Sequence, residues 1–143
     1  VIYDLIIKNW SFVMSKKGSC LCGDVNFTYK SDPKMFVMCH CTDCQKSTGS
    51  PVASIIIIPE EDFDINGVIG SFECEAKVTR SFCKNCGSQI FSRIASAPGI
   101  VAIKTGVLNE QPKIKPNIAC WTKSKPEWLE ITHPKNSYEK NPG

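Results

Sequence analysis

Apolar and polar positions alternate with a period of two along much of the chain, the signature of strands rather than helices. Residues 25–29 show it most plainly: Val25, Phe27 and Tyr29 fall on one face, Asn26 and Thr28 on the other. Residues 52–58 are apolar and rich in isoleucine, and Pro59 stops the run, which predicts a buried strand. Residues 78–82, 89–94 and 100–104 are further strand candidates, punctuated by Gly87 and by Pro98-Gly99, and residues 117–121 are the last. Residues 35–38 form a short apolar run that leads into a cysteine cluster. Helical spacing is scarce, with room for one turn over residues 42–48. Past Trp128 the chain is polar and carries Pro134 and Pro142, so residues 133–143 are expected to form a loosely held tail. The pattern predicts a mainly β, antiparallel fold with little helix, in which each cysteine cluster sits where a strand meets a turn.

A length of 143 residues is that of one domain, large enough to bury a core without a metal to rescue it. Met14-Ser15-Lys16-Lys17 resembles a natural start, which makes residues 1–13 an N-terminal extension and residues 14–132 the domain. Asp4, Lys8 and Asn9 interrupt any signal-peptide core in that extension, and the longest apolar run is too short to span a bilayer. A net charge of +3 gives no reason to expect nucleic acid or an anionic membrane as partner. Lys113, Lys115, Lys123 and Lys125 around Trp121 are the nearest approach to a basic stripe, but they lie among prolines and are expected to be a solvated face.

Nine cysteines change the picture. An odd number cannot pair completely, and seven of them are clustered as Cys20-x-Cys22, Cys39-x-Cys41-x-x-Cys44 and Cys83-x-x-Cys86. Disulfide frameworks disperse their half-cystines, whereas clustered thiols converge on an ion and imply a reducing compartment, the cytoplasm. Cys83-Lys84-Asn85-Cys86-Gly87 has the form of a zinc knuckle, with Gly87 placed where the turn calls for positive φ. Zinc in a structural site takes four ligands, and Cys20-Leu21-Cys22-Gly23 supplies the complementary pair. The alternatives are a redox CxxC or buried thiols without a common ion.

Cys39, Cys41 and Cys44 then remain as three potential ligands of a second zinc with one position open, the arrangement of catalytic sites. Three thiolates donate heavily, so zinc held there acidifies water poorly, and an incoming thiol held as thiolate is the more useful fourth ligand. Closure by Cys74 or Cys120 is the structural alternative. His40, between two of these cysteines, is expected to face away from the ion as a hydrogen-bonding neighbour. Arg80 is read as a strand-edge charge, with pairing to a carboxylate of a glutathione-like thiol ligand as the alternative, and Lys46, Ser47 and Thr48 as turn residues able to line a pocket.

Gly18-Ser19-Cys20-Leu21-Cys22-Gly23-Asp24-Val25, Cys39-His40-Cys41-Thr42-Asp43-Cys44 and Arg80-Ser81-Phe82-Cys83-Lys84-Asn85-Cys86-Gly87-Ser88 together resemble the glutathione-dependent formaldehyde-activating enzyme family, whose domain is shared with a centromere protein. The resemblance runs from about Gly18 to Trp128, and Gly49, Phe63, Gly67 and Gly106 agree with it. It implies a β-tent fold, structural zinc at Cys20, Cys22, Cys83 and Cys86, and a second zinc at Cys39, Cys41 and Cys44. It further implies carbon–sulfur lyase chemistry: joining a thiol such as glutathione to a small aldehyde such as formaldehyde, or the reverse. The chain departs from the family pattern near its end, where Asn117 stands beside Ile118 in place of a histidine. A non-enzymatic binding module and a zinc or thiol redox sensor are the competing readings.

Overall fold

A computed structural model describes residues 15–132 and 134–142, so the proposed extension over residues 1–13 lies outside the described residues. Among the described residues, eleven strands form two sheets, accompanied by one short α-helix. In chain order they are β1 (Lys16–Ser19), β2 (Asn26–Tyr29), β3 (Met35–Cys39), α1 (Thr42–Thr48), β4 (Ala53–Pro59), β5 (Phe63–Asn66), β6 (Ile69–Glu73), β7 (Val78–Cys83), β8 (Gln89–Ile94), β9 (Ile100–Lys104), β10 (Ile118–Cys120) and β11 (Asn136–Ser137). The small sheet has the order β1-β2-β5 and the large one β11-β10-β3-β4-β9-β8-β7-β6. No helix among the described residues is long and apolar enough to cross a membrane.

The mainly β expectation holds, with one departure from an all-antiparallel scheme: β10 pairs in parallel with both β3 and β11. The chain leaves β9 and returns only at Ile118, and that long connection lets it re-enter the sheet in the same direction as β3. Asn117 secures the junction. Its Oδ1 accepts from the Phe36 amide at 2.9 Å and its Nδ2 donates to the Lys34 carbonyl at 2.8 Å. The residue that breaks the family pattern is therefore a clamp on the start of β3. Nor is the tail loose: β11 lies beside β10, the Tyr138 amide donates to the Ala119 carbonyl, and Trp121 Nε1 donates to Asn141 Oδ1 at 2.7 Å.

The large sheet separates two cores. Ile56 and Ile58 of β4, Val101 and Ile103 of β9, Phe36 and Phe91 face the small sheet and pack with Val25, Phe27 and Tyr29. Ile55 and Ile57, one position out of phase, face the opposite side with Val37, Cys39, Ala53, Ala102 and Cys120. An uninterrupted isoleucine run is thus a strand buried on both faces, each side chain worth about 1.5–3 kcal/mol when removed from water. This division also sorts the thiols. Cys20 and Cys83 belong to the first core, Cys39, Cys44 and Cys120 to the second.

Candidate metal centres

The first cysteine group forms where two hairpin turns meet. After β1, Cys20 to Asp24 form a turn in which the Gly23 amide donates to the Cys20 carbonyl and Gly23 adopts φ +84°. The Val25 amide donates to Cys20 Sγ at 3.2 Å. In the turn from β7 to β8 the Gly87 amide donates to the Cys83 carbonyl at 2.8 Å, and Gly87 has the positive φ, +76°, expected of a knuckle. The Leu21 amide donates to Ser88 Oγ, which ties the two turns directly. Cys20, Cys22, Cys83 and Cys86 then bring their sulfurs within 4.8 Å of one another. The Cys20–Cys22 and Cys22–Cys83 separations are 3.6 and 3.8 Å. A tetrahedron with zinc–sulfur bonds of about 2.3 Å has an edge of about 3.8 Å, so the donor set fits zinc in both chemistry and size. Hydrogen bonds from the Ser88 side chain and backbone pull the Cys86 thiol down to about 5, which favours the thiolate a metal requires.

The second group is built by one helix on the far face of the large sheet. Cys39 ends β3, Cys41 is the N-cap of α1, and Cys44 lies one turn inside it. Cys41 Sγ accepts from the Cys44 amide at 3.2 Å, so a sulfur takes the place usually held by a serine or aspartate oxygen. Gly49, at φ +69°, closes the helix with its amide on the Gln45 carbonyl. Gln45 Nε2 donates to the carbonyls of His40 and Ser124, holding the helix against the loop that follows β10. The sulfurs of Cys39, Cys41 and Cys44 all lie within 4.8 Å of one another. Cys39 and Cys44 are buried, while Cys41 is partly exposed and gives the group a solvent-facing side.

Cys120, in register with Cys39 across the parallel β10–β3 pair, is buried beside the trio, but its sulfur is not within 4.8 Å of all three. Cys74, past the end of β6, belongs to neither group. The four-plus-three division read from the sequence is thus what the fold brings together, and both groups could hold a metal ion.

Two cations beside the trio were missed or misread in the sequence. Arg80 is no strand-edge charge: it is 7% exposed on β7 and its Nη1 donates to Cys44 Sγ at 3.7 Å. Lys104, equally buried at the end of β9, reaches Ser92 Oγ at 3.4 Å. Hydrogen bonds from Cys39 and Cys41, reinforced by the charges of Arg80 and Lys104, hold the Cys44 thiol far below the ordinary thiol range. Cys39 is pushed up by the neighbouring Cys120 thiol, and Cys41 by Cys39. Burial lowers Lys104, with the Cys44 charge acting the other way. The only sequence signal for Lys104 is a charged residue closing an otherwise apolar strand.

His40 is fully buried, and the polar group facing its ring is the Pro51 backbone. Burial holds its pKa below the usual histidine value. A cavity of about 400 Å³ is walled by the helix on one side and the knuckle turn on the other, and none of the seven clustered cysteines lines it. Ser47 and Thr48 of α1 form one wall and Gly87 and Ser88 of the knuckle another, with Lys104 and Gln89 also lining it. Of the three turn residues expected there, Lys46 is not part of the lining.

Residues 15–124 match the glutathione-dependent formaldehyde-activating enzyme family. The chain belongs to that family. A Schizosaccharomyces pombe protein named an uncharacterized lyase is 25% identical over 75 residues, which cover 52% of this chain and 55% of that protein. The chain thus spans about half the length of this curated relative. Among solved structures, a Rhodobacter sphaeroides protein superimposes with a TM-score of 0.57 at 20% identity, over 70% of this chain and 91% of that one, which shows the shared fold.

Proposed function

We propose that the protein is a zinc-dependent carbon–sulfur lyase that joins a glutathione-like thiol to a small aldehyde such as formaldehyde, or reverses that addition. In this reading Cys20, Cys22, Cys83 and Cys86 hold a structural zinc, and Cys39, Cys41 and Cys44 hold a second one. The observation that carries it is the trio: three sulfurs converge within 4.8 Å of one another, and one of the three residues, Cys41, is partly exposed. Membership of a family named for glutathione and formaldehyde supports the choice of substrates, and the lyase name of the yeast relative supports the reaction class.

Zinc at the trio would supply the positive charge that keeps a bound thiol deprotonated at neutral pH. The rest falls to the chain. The thiol sulfur forms a bond to the carbonyl carbon, the carbon–oxygen π pair moves to oxygen, and that oxygen takes up a proton to give an S-hydroxymethyl product. In this reading the cavity walled by α1, the knuckle turn and Lys104 holds the two reactants together, so a bimolecular addition becomes a local one. Lys104 and the hydroxyls of Ser47, Thr48 and Ser88 line that cavity and offer donors to the oxygen on which charge develops. Arg80 keeps Cys44 oriented and charged from below.

The test is product formation from glutathione and formaldehyde, followed by NMR of the S-hydroxymethyl carbon against the spontaneous rate, together with zinc counted per chain. The expected result is acceleration that disappears in Cys41→Ser along with one of two zinc ions. Full activity in that variant refutes the assignment.

A further inference from the structure

We propose that Arg80 and Lys104 are positioning residues that set the charge of the thiol trio's site, so that the outside ligand it accepts is an anion, a thiolate, in preference to a neutral molecule. The inference rests on the lyase reading for its substrate, but its argument is electrostatic.

The register places both cations on the trio's face of the large sheet. Arg80 pairs with Ser92, Ser92 with Ala102, and Lys104 lies two positions beyond Ala102, whose side chain packs in the same core as Cys39 and Cys44. Both cations are buried, and neither has a carboxylate partner among the described residues. The ion pairs among the described residues are made by Lys16, Lys77 and Arg93 instead. Burying an unpaired guanidinium and ammonium together is strongly unfavourable unless negative charge compensates them. The groups facing them that can carry such charge are thiols. Cys44 lies nearest Arg80, Cys41 and Cys74 also act on it, and Cys39, Cys41 and Cys44 act on Lys104.

Counting charge shows what is missing. Three thiolates, a divalent zinc and the two cations sum to about +1 in a buried setting, and one entering thiolate brings the site to about zero. The quartet differs: its fourth position is filled by protein, and its sulfurs take hydrogen bonds from the Val25 amide and from Ser88. Lys104 also lines the cavity beside Gln89, whose Oε1 is buried without a partner. A ligand in that cavity meets the Lys104 ammonium.

The test uses the full chain loaded with cadmium, whose thiolate charge-transfer band counts bound sulfurs independently of turnover. Glutathione, neutral mercaptoethanol and imidazole are titrated into the parent, Lys104→Met, Lys104→Arg and Arg80→Met. The parent is expected to gain band intensity with either thiol. Lys104→Met should keep its cadmium and its melting temperature while thiol affinity falls about tenfold or more, as loss of one unit charge within about 10 Å at an effective dielectric of about 20 requires. Imidazole affinity should not fall with it, and Lys104→Arg should restore thiol binding. Arg80→Met should show the same selective loss. If its trio no longer takes up cadmium, Lys104→Met alone decides. Thiol affinity in Lys104→Met equal to the parent's overturns the proposal, as does an equal loss in Lys104→Met and Lys104→Arg, or a parent that gains no sulfur from either thiol. A parent that binds thiol with the expected charge dependence, yet never accelerates the aldehyde addition, supports this inference while refuting the lyase reading.

Discussion

Replacing Cys83 by serine tests the quartet most sharply. Cys22 and Cys83 lie 61 residues apart in sequence, and their sulfurs approach to 3.8 Å. A shared ion therefore acts as a cross-link between the turn after β1 and the turn after β7. Treated as the closure of a loop of that length, it restricts the unfolded chain by about 4 kcal/mol. A domain of this size is stable by only about 5–15 kcal/mol in all. Cys83 is also among the most buried residues of the main core, so its serine hydroxyl has no access to water. The expected outcome is a melting temperature lower by roughly 12–20 °C, with loss of the quartet's zinc, measured by scanning calorimetry and metal analysis on the same sample. Cys41→Ser is the internal control. Cys41 caps α1 through its sulfur, serine is a favoured residue at that position, and the side chain is only partly buried. It should therefore lose the trio's metal while melting within about 5 °C of the parent. A Cys83→Ser protein that keeps both zinc ions and melts within about 3 °C of the parent would refute the cross-link argument.

Further outcomes follow from the same geometry. A chelator titrated at neutral pH should remove the trio's metal first, because three protein ligands hold an ion less firmly than four; far-ultraviolet circular dichroism should stay unchanged until the quartet's metal follows. His40 is buried neutral with a depressed pKa, so the unfolded state takes up its proton first as pH falls. Its share of stability is complete above about pH 6.5 and is lost as pH drops toward the folded value. His40→Leu should flatten that acid slope of the melting temperature between pH 5 and 7.5. An unchanged slope refutes it. Asn117→Ala removes two hydrogen bonds to the start of β3 and should cost about 2 kcal/mol in urea unfolding, without changing the metal content.

The chain's own pattern determined the β character, most strand positions, the helical turn over residues 42–48 and the grouping of seven thiols into three motifs. These are local properties. Alternation with a period of two, a glycine after a CxxC and a run of isoleucines each carry their meaning within a few residues. β1, β5 and β6 were not legible, because Lys16–Ser19, Phe63–Asn66 and Ile69–Glu73 are short and much of their surface is exposed. Their apolar pattern is correspondingly weak, and pairing rather than composition makes them strands. The parallel insertion of β10, the docking of the tail as β11 and the clamp formed by Asn117 likewise depend on partners distant in sequence.

Tertiary structure alone decided which thiols keep company with which charges. The sequence shows Arg80 and Lys104 as two polar residues in separate strands, and Cys120 as one cysteine outside the clusters. Folding of one twisted sheet with side chains alternating between its faces puts all three beside Cys39 and Cys44 and sends Cys20 and Cys83 to the other side. Ligand identity is written in spacing because neighbouring thiols converge through local turns. The electrostatic setting of a site is not, because Coulomb forces act through space between residues that only the strand register brings together.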